Sequence, residues 1–354
     1  MNYKTILITG GAGFIGSNLA LNLIRDFSGT KVICLDNLQR KGSELNLPRL
    51  KKAGIKFIRG DVRNKQELDL VKTFDLLIEC SAECSVMAGY DNPLANLIDT
   101  NLYGAVNCLE AARQRKADFV FLSTSRVYPI KELRLINLRE EDDNFKCLPQ
   151  QSIRGVSEKG ISEDFPLEGS RSFYGASKLS AEIILKEYVH GFGLRAIVNR
   201  CSVMAGPWQL GKVDQGFLAL WVARHIYCGS LSYIGYSGKQ VRDVLHVDDL
   251  YDLLLLQLKD IDKYSAQVFN VGGTIDNAVS LRQLTELCRK VTKKKIDLGF
   301  IDQIREQDIP YYVSDCTRIE RLSGFKPKRN LETIVCDTAQ WVFDNKNTLE
   351  KIFK

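Results

Sequence analysis

Thr5-Ile6-Leu7-Ile8-Thr9-Gly10-Gly11-Ala12-Gly13-Phe14-Ile15-Gly16 joins a short apolar run to a glycine turn and then to a segment of helical spacing. Residues 5–9 read as a buried strand. Gly10, Gly13 and Gly16 recur at every third position, where a tight turn and the close approach of a pyrophosphate both call for residues without a β-carbon. The helix that starts there offers unpaired N–H groups to an anion. Asp36 ends the second apolar run, 20 residues after Gly16, where a carboxylate can accept from the ribose hydroxyls of a dinucleotide. A 2′-phosphate at that place would meet a like charge, so NAD is expected rather than NADP, although Arg40 and Lys41 lie close enough to soften the repulsion. Asp61, ending the third run, either reaches the adenine or caps the next turn.

Outward from this stretch, short apolar runs alternate with helical periodicity. Residues 31–36, 55–61, 75–82, 118–125 and 194–200 read as further buried strands. Residues 17–25, 65–73 and 96–113 read as amphipathic helices, the last with Leu97, Asn101, Ala105, Leu109 and Ala112 close to one face. Strands apolar on both sides, separated by helices, predict an α/β fold with a doubly wound parallel sheet of the Rossmann kind. The expected organisation is a dinucleotide-binding domain over 1–200 with a long insertion at 130–172. A smaller mixed α/β substrate domain over 201–354 follows, with segments around 243–260 returning to the first. The insertion is rich in charge and turn residues, including Glu140-Glu141-Asp142-Asp143, and reads as a loop that is either a mobile cover on the active site or a static addition.

Composition narrows the function classes. Of 354 residues, 45% are hydrophobic and 26% charged, which is the balance of a globular protein and not of a disordered one. A net charge of +6 is too mild to argue for nucleic acid, and Lys293-Lys294-Lys295 reads as a solvated helix end. No apolar run reaches membrane-spanning length and the first residues lack the pattern of a signal peptide, so a cytoplasmic protein with no membrane partner is expected. The ten cysteines form no CxxC pair, and His190, His225 and His246 are far apart, so no metal centre is expected.

The catalytic candidates lie further on. Tyr174 and Lys178 stand four apart at the start of a helical run, which places both side chains on one face. An ammonium beside a phenol stabilises the phenolate and lowers a pKa that starts near ~10. Such a tyrosine can take or give a proton at a hydroxyl carbon while hydride moves to a nicotinamide. Ser123 and Thr124 end a later strand, where a hydroxyl can hydrogen-bond a substrate oxygen or satisfy strand-end backbone.

With these residues in place the chain resembles, over essentially its whole length, the extended short-chain dehydrogenase/reductase family of nucleotide-sugar epimerases and dehydratases. Within it, Asp36 to Gly42, Val213-Asp214-Gln215-Gly216, Gly238 to His246 and Val268 to Thr274 are similar to the subfamily that inverts carbon 2 of a CDP-linked deoxyhexose with bound NAD. The resemblance implies an NAD site lined by Gly10, Gly13, Phe14, Ile15, Gly16, Asp36, Asn37, Arg40, Asp61, Val62, Ser81, Ala82 and Asn101, with Tyr174 and Lys178 also reaching the cofactor. It implies a catalytic triad of Thr124, Tyr174 and Lys178, with Ser123 beside it. It places Arg242, Arg305 and Gln215 on the substrate, the arginines on its phosphates. It also implies a homodimer or homotetramer, with residues 96–113 and 178–190 as candidate contact helices. The chain departs from the usual pattern at Glu79-Cys80-Ser81-Ala82, where relatives commonly carry His-Leu-Ala, at Pro129, and at Ala205.

Three readings compete. An epimerase with retained NAD comes first, at carbon 2 or carbon 4. A 4,6-dehydratase would need an acid–base pair directly after Thr124, and Ser125-Arg126 cannot do that work. A silent NAD-binding protein is at odds with the intact Tyr174 and Lys178.

Overall fold

The apolar runs become strands β1 (Thr5–Thr9), β2 (Lys31–Asp36), β3 (Lys56–Arg59), β4 (Leu76–Glu79) and β5 (Asp118–Thr124), and β6 (Ala196–Cys201) and β7 (Val268–Val271) complete one sheet. Its order is β7-β6-β5-β4-β1-β2-β3, and the pairs β1–β2, β2–β3, β1–β4 and β4–β5 are parallel. Parallel neighbours require crossovers, which here include helices α1 (Phe14–Asp26), α2 (Gly104–Arg115) and α3 (Phe173–Phe192). Cover on both faces explains why the strands are not alternating: β4 and β5 are buried at every residue. The fold is therefore the doubly wound α/β sheet that the periodicity predicts. Thr9 pairs with Leu35 on one side and Glu79 on the other, so the order reverses beside β1 and the ligand crevice lies beyond the ends of β1 and β4.

The computed structural model describes residues 3–90 and 93–353, which divide into two compact units. The first takes in the chain to Val127, Phe173–Arg200 and Leu250–Phe269, and carries the large sheet. The second takes in Tyr128–Ser172, Cys201–Asp249 and the chain from Asn270 onward. Its sheet is built on Val241–His246, which pairs in parallel with Val203–Ala205 and with Tyr311–Tyr312, and antiparallel with Ala278–Ser280. Ser280 and Gln283 form a reciprocal cap on the helix Leu281–Thr292, which together with Phe217–Ile226 and Leu331–Asp344 makes a helical layer in this unit.

Two local differences from the sequence reading matter. The stretch at 130–172 is not a bare loop. It holds the short helix Ile130–Arg134 and two hairpins, Leu138–Glu140 with Phe145–Cys147 and Val156–Ser157 with Gly160–Ile161. Arg134 donates to the carbonyls of Arg305, Glu306 and Asp308, and Lys239 Nζ lies 2.8 Å from Glu140 Oε1, so the hairpins are tied into the second unit. The helix expected at 96–113 is also interrupted: Leu94–Ile98 leads into a π-helical turn, Asp99–Tyr103, before α2 begins. The turn presents Asn101 inward, where it is 1% exposed. Among the described residues no helix is long and apolar enough to cross a membrane.

Candidate active site

The glycine turn sits beyond β1 against the residues that follow β4. Gly10 has φ +64°, and a β-carbon there would lie 2.7 Å from the Cys80 carbonyl oxygen, so both backbone and space demand glycine. Gly13 is the N-cap of α1, and no side chain caps that terminus. The first N–H groups of α1 therefore face the turn without a side-chain acceptor. Asp36 ends β2 and accepts from the N–H of Leu38 at 2.8 Å and of Ala12 at 3.1 Å. Burial pushes its carboxyl above the usual range, and the N–H groups of Leu38, Ala12 and Gly13 oppose that. A loop that only glycine can make, an uncapped helix N-terminus and a carboxylate at the end of β2 fit a dinucleotide, with the pyrophosphate on α1 and the ribose on Asp36.

Other expected cofactor residues have protein partners of their own. Asp61 accepts from Arg63 Nη2 at 2.6 Å, from the Arg63 N–H at 2.9 Å and from Asn37 Nδ2 at 2.9 Å. Burial pushes its carboxyl up, but the hydrogen bonds from Arg63 and Asn37 outweigh that and bring it down to about 2. The geometry is that of a turn cap, one of its two expected roles. Val62 is buried, its carbonyl accepts from Asn107, and α2 passes it at Gly104, where a β-carbon would lie 2.7 Å from Val62 Cγ2. The Asn101 amide is engaged with the Glu83 N–H at 2.8 Å, the Glu83 carbonyl at 2.9 Å and Ser177 Oγ at 3.1 Å. It pins the loop after Ser81 and Ala82 to α3.

The residues expected to handle the proton come from two elements. Thr124 ends β5, 7% exposed, with Oγ1 accepting from the Arg126 N–H. Tyr174 and Lys178 lie on the buried side of α3 at 9% and 2% exposure. Tyr174 packs against Ala88 and Leu97, with Cys84, Val86, Leu94 and Ile98 around them. Ser123 is a correction. Its hydroxyl donates to Glu182, which is itself fully buried and held by Arg200 Nη2 at 2.7 Å and Nε at 3.1 Å. A hydroxyl committed to a buried carboxylate is part of the core. The sequence reading missed Glu182 and Arg200, although Tyr174, Lys178 and Glu182 repeat every four residues along α3. It noted Glu79 only as a departure, yet Glu79 Oε2 is the partner of Lys178 Nζ at 3.4 Å.

The arginines expected on the substrate belong to the second unit. Arg242 donates to Asp308 Oδ1, to the Ile309 carbonyl and to the Val241 carbonyl, all within 2.8 Å, so its guanidinium is braced by the 308–309 segment. Arg305 sits on the same segment, which Arg134 also grips through the Arg305 and Asp308 carbonyls. Gln215 closes a tight turn with Lys212 just before the helix Phe217–Ile226.

The model of the NAD dependent epimerase/dehydratase family matches residues 6–272, from β1 through β7. The chain belongs to that family, and its cofactor is NAD. Among relatives, it is 32% identical to a CDP-paratose 2-epimerase of Salmonella typhi, with 95% of this chain and 98% of that one covered. It is 26% identical to a dTDP-glucose 4,6-dehydratase of Mycobacterium tuberculosis, over 97% of this chain and 94% of that one. An epimerase structure from Methanothermobacter thermautotrophicus shares the fold, with a TM-score of 0.81 at 21% identity, covering 98% of this chain and 94% of that one. The family includes both epimerases and dehydratases, and this family member carries Ser125-Arg126 directly after Thr124.

Proposed function

We propose that the protein is a nucleotide-sugar epimerase that inverts carbon 2 of a CDP-linked deoxyhexose, the CDP-paratose to CDP-tyvelose type of conversion. The observation that carries an epimerase over a dehydratase is Ser125-Arg126. Elimination of a sugar hydroxyl needs an acid and a base beside the reacting carbons, and a serine and a guanidinium supply neither. The choice of carbon 2 over carbon 4 is supported by the full-length similarity to the CDP-paratose enzyme.

Bound NAD would supply reversible hydride acceptance at the sugar carbon, and the glycine turn with Asp36 would hold it. Tyr174 takes the proton of the sugar hydroxyl and gives it back to the same oxygen. Lys178 favours the phenolate form of that tyrosine through its charge. Thr124 hydrogen-bonds the reacting oxygen. Asp36 holds the adenosine ribose and Gly10, Gly13 and Gly16 admit the pyrophosphate. Arg305 and Gln215 are direct ligands of the sugar nucleotide, and Arg242 braces the Arg305 segment. Fixing the nucleotide half leaves the ketone free to turn without leaving. The working form is a homo-oligomer.

The test is to denature purified protein, identify the released dinucleotide by mass, and incubate native protein with CDP-, UDP- and dTDP-sugars. The expected result is NAD and inversion of a CDP-sugar. Release of NADP, or loss of water from a dTDP-hexose, would count against the reading.

A further inference from the structure

Strand β4 runs Leu76-Leu77-Ile78 and then ends on a carboxylate. Glu79 is 1% exposed, and its partner Lys178 reaches it from α3, 99 residues later. On its other side the Lys178 ammonium lies over the Phe121 ring, 3.9 Å from the centroid. The Ser81 N–H donates to the Glu79 carboxylate. The titratable groups facing Glu79 are Lys178 from α3 and Cys108 from α2, and burial pushes the Cys108 thiol well up, so it stays neutral. Cys84 is the thiol packed beside the Tyr174 cluster. Burial also pushes Glu79 itself up, and Lys178 opposes that. A charged pair with water excluded from both members is costly to keep unless its geometry serves something.

We propose that Glu79 is a positioning residue for the Tyr174–Lys178 pair: it anchors the Lys178 ammonium at the end of β4 and, through its charge, sets the pH at which the pair releases its first proton. The inference rests on the acid–base role of Tyr174. A lysine has a flexible four-carbon stem, and two anchors, one carboxylate and one aromatic face, fix its head. The buried Glu79 carboxylate beside the Lys178 ammonium opposes a further negative charge on the Tyr174 phenol, one helical turn from Lys178. Where Glu79 is neutralised, the phenolate forms at lower pH.

The experiment titrates phenolate absorbance of the dinucleotide-loaded protein across the neutral and alkaline range, with Tyr174→Phe as the blank that isolates this tyrosine. Two neutral replacements of different shape, Glu79→Gln and Glu79→Met, guard against the misfolding of either, and Glu79→Asp keeps the charge. In both neutral variants the Tyr174 midpoint moves to lower pH by about one unit or more, while Glu79→Asp stays within about 0.3 unit of wild type. The acid limb of kcat/KM moves in the same direction. A folded neutral variant whose midpoint is unmoved, or moves to higher pH, overturns the role of Glu79 alone. Absence of any Tyr174 titration in wild type overturns both this inference and the acid–base reading on which it rests.

Discussion

At Tyr174 one hydroxyl separates a packing residue from a proton carrier. Tyr174→Phe keeps the ring against Ala88 and Leu97 and removes the proton site, so the expected result is NAD retained and turnover reduced by about 10²–10⁴-fold. More than a tenth of wild-type turnover in steady-state assays would rule out the role. Lys178→Ala is expected to lose dinucleotide as well, read as the fraction of protein that still carries NAD after gel filtration. Asp36→Ala removes the charge that would repel a 2′-phosphate, so the ratio of NADP to NAD affinity rises, measured by competition. At Asp61 the folded carboxyl lies about 2, below its unfolded value of ~3.9. Its pairing with Arg63 therefore stabilises the fold fully above the unfolded value and is lost as pH falls through the folded one. Asp61→Asn is expected to narrow the difference in melting temperature between neutral and strongly acid buffer; an unchanged difference would show that the pairing contributes nothing. The residues legible in sequence were those whose reason is local: Gly10 for its turn, Asp36 for its strand end, Tyr174 and Lys178 for their spacing. Glu79 and Ser123 were not, because their partners lie in distant sequence, 99 residues away for Glu79 and 59 for Ser123.

The same division holds for elements. β1 and β2 run over the residues expected from their apolar runs, since a strand buried on both faces must be apolar throughout. The hairpins between Tyr128 and Ser172 have strands of two or three residues, too short for a period to register, and their anchors, such as the Arg134 contacts to the 305–308 segment, are long-range. The π turn at Asp99–Tyr103 also leaves no periodic signal; it is visible only in the contacts Asn101 makes. Element packing carries its own prediction. Arg200 of β6 and Glu182 of α3 form a buried bidentate pair, so Glu182→Ala leaves an uncompensated guanidinium and is expected to destabilise the fold by about 3–5 kcal/mol in denaturant unfolding. A loss below about 1 kcal/mol would mean that the site relaxes or admits water.

For the molecule as a whole, the doubly wound sheet was readable because strand and helix alternate, while the grouping of Tyr128–Ser172 with the second unit was not, since that grouping depends on side chains meeting across the sequence. The helices expected to carry oligomer contacts expose large apolar groups, Tyr103 at 59% and Ile183 at 56%. Light scattering is expected to find a dimer or tetramer, and Ile183→Glu to shift it toward monomer; an unaltered assembly in that variant would place the contact elsewhere. In the proposed reaction the inverted carbon loses and regains its own hydrogen, with Tyr174 moving only the hydroxyl proton. CDP-paratose carrying deuterium at carbon 2 follows that hydrogen. All of the label is expected to return to carbon 2 of the product, inverted, with no solvent hydrogen there. Label retained with inversion at carbon 4 of a related sugar would keep the chemistry and move the carbon, whereas washout of deuterium into water would contradict hydride return altogether.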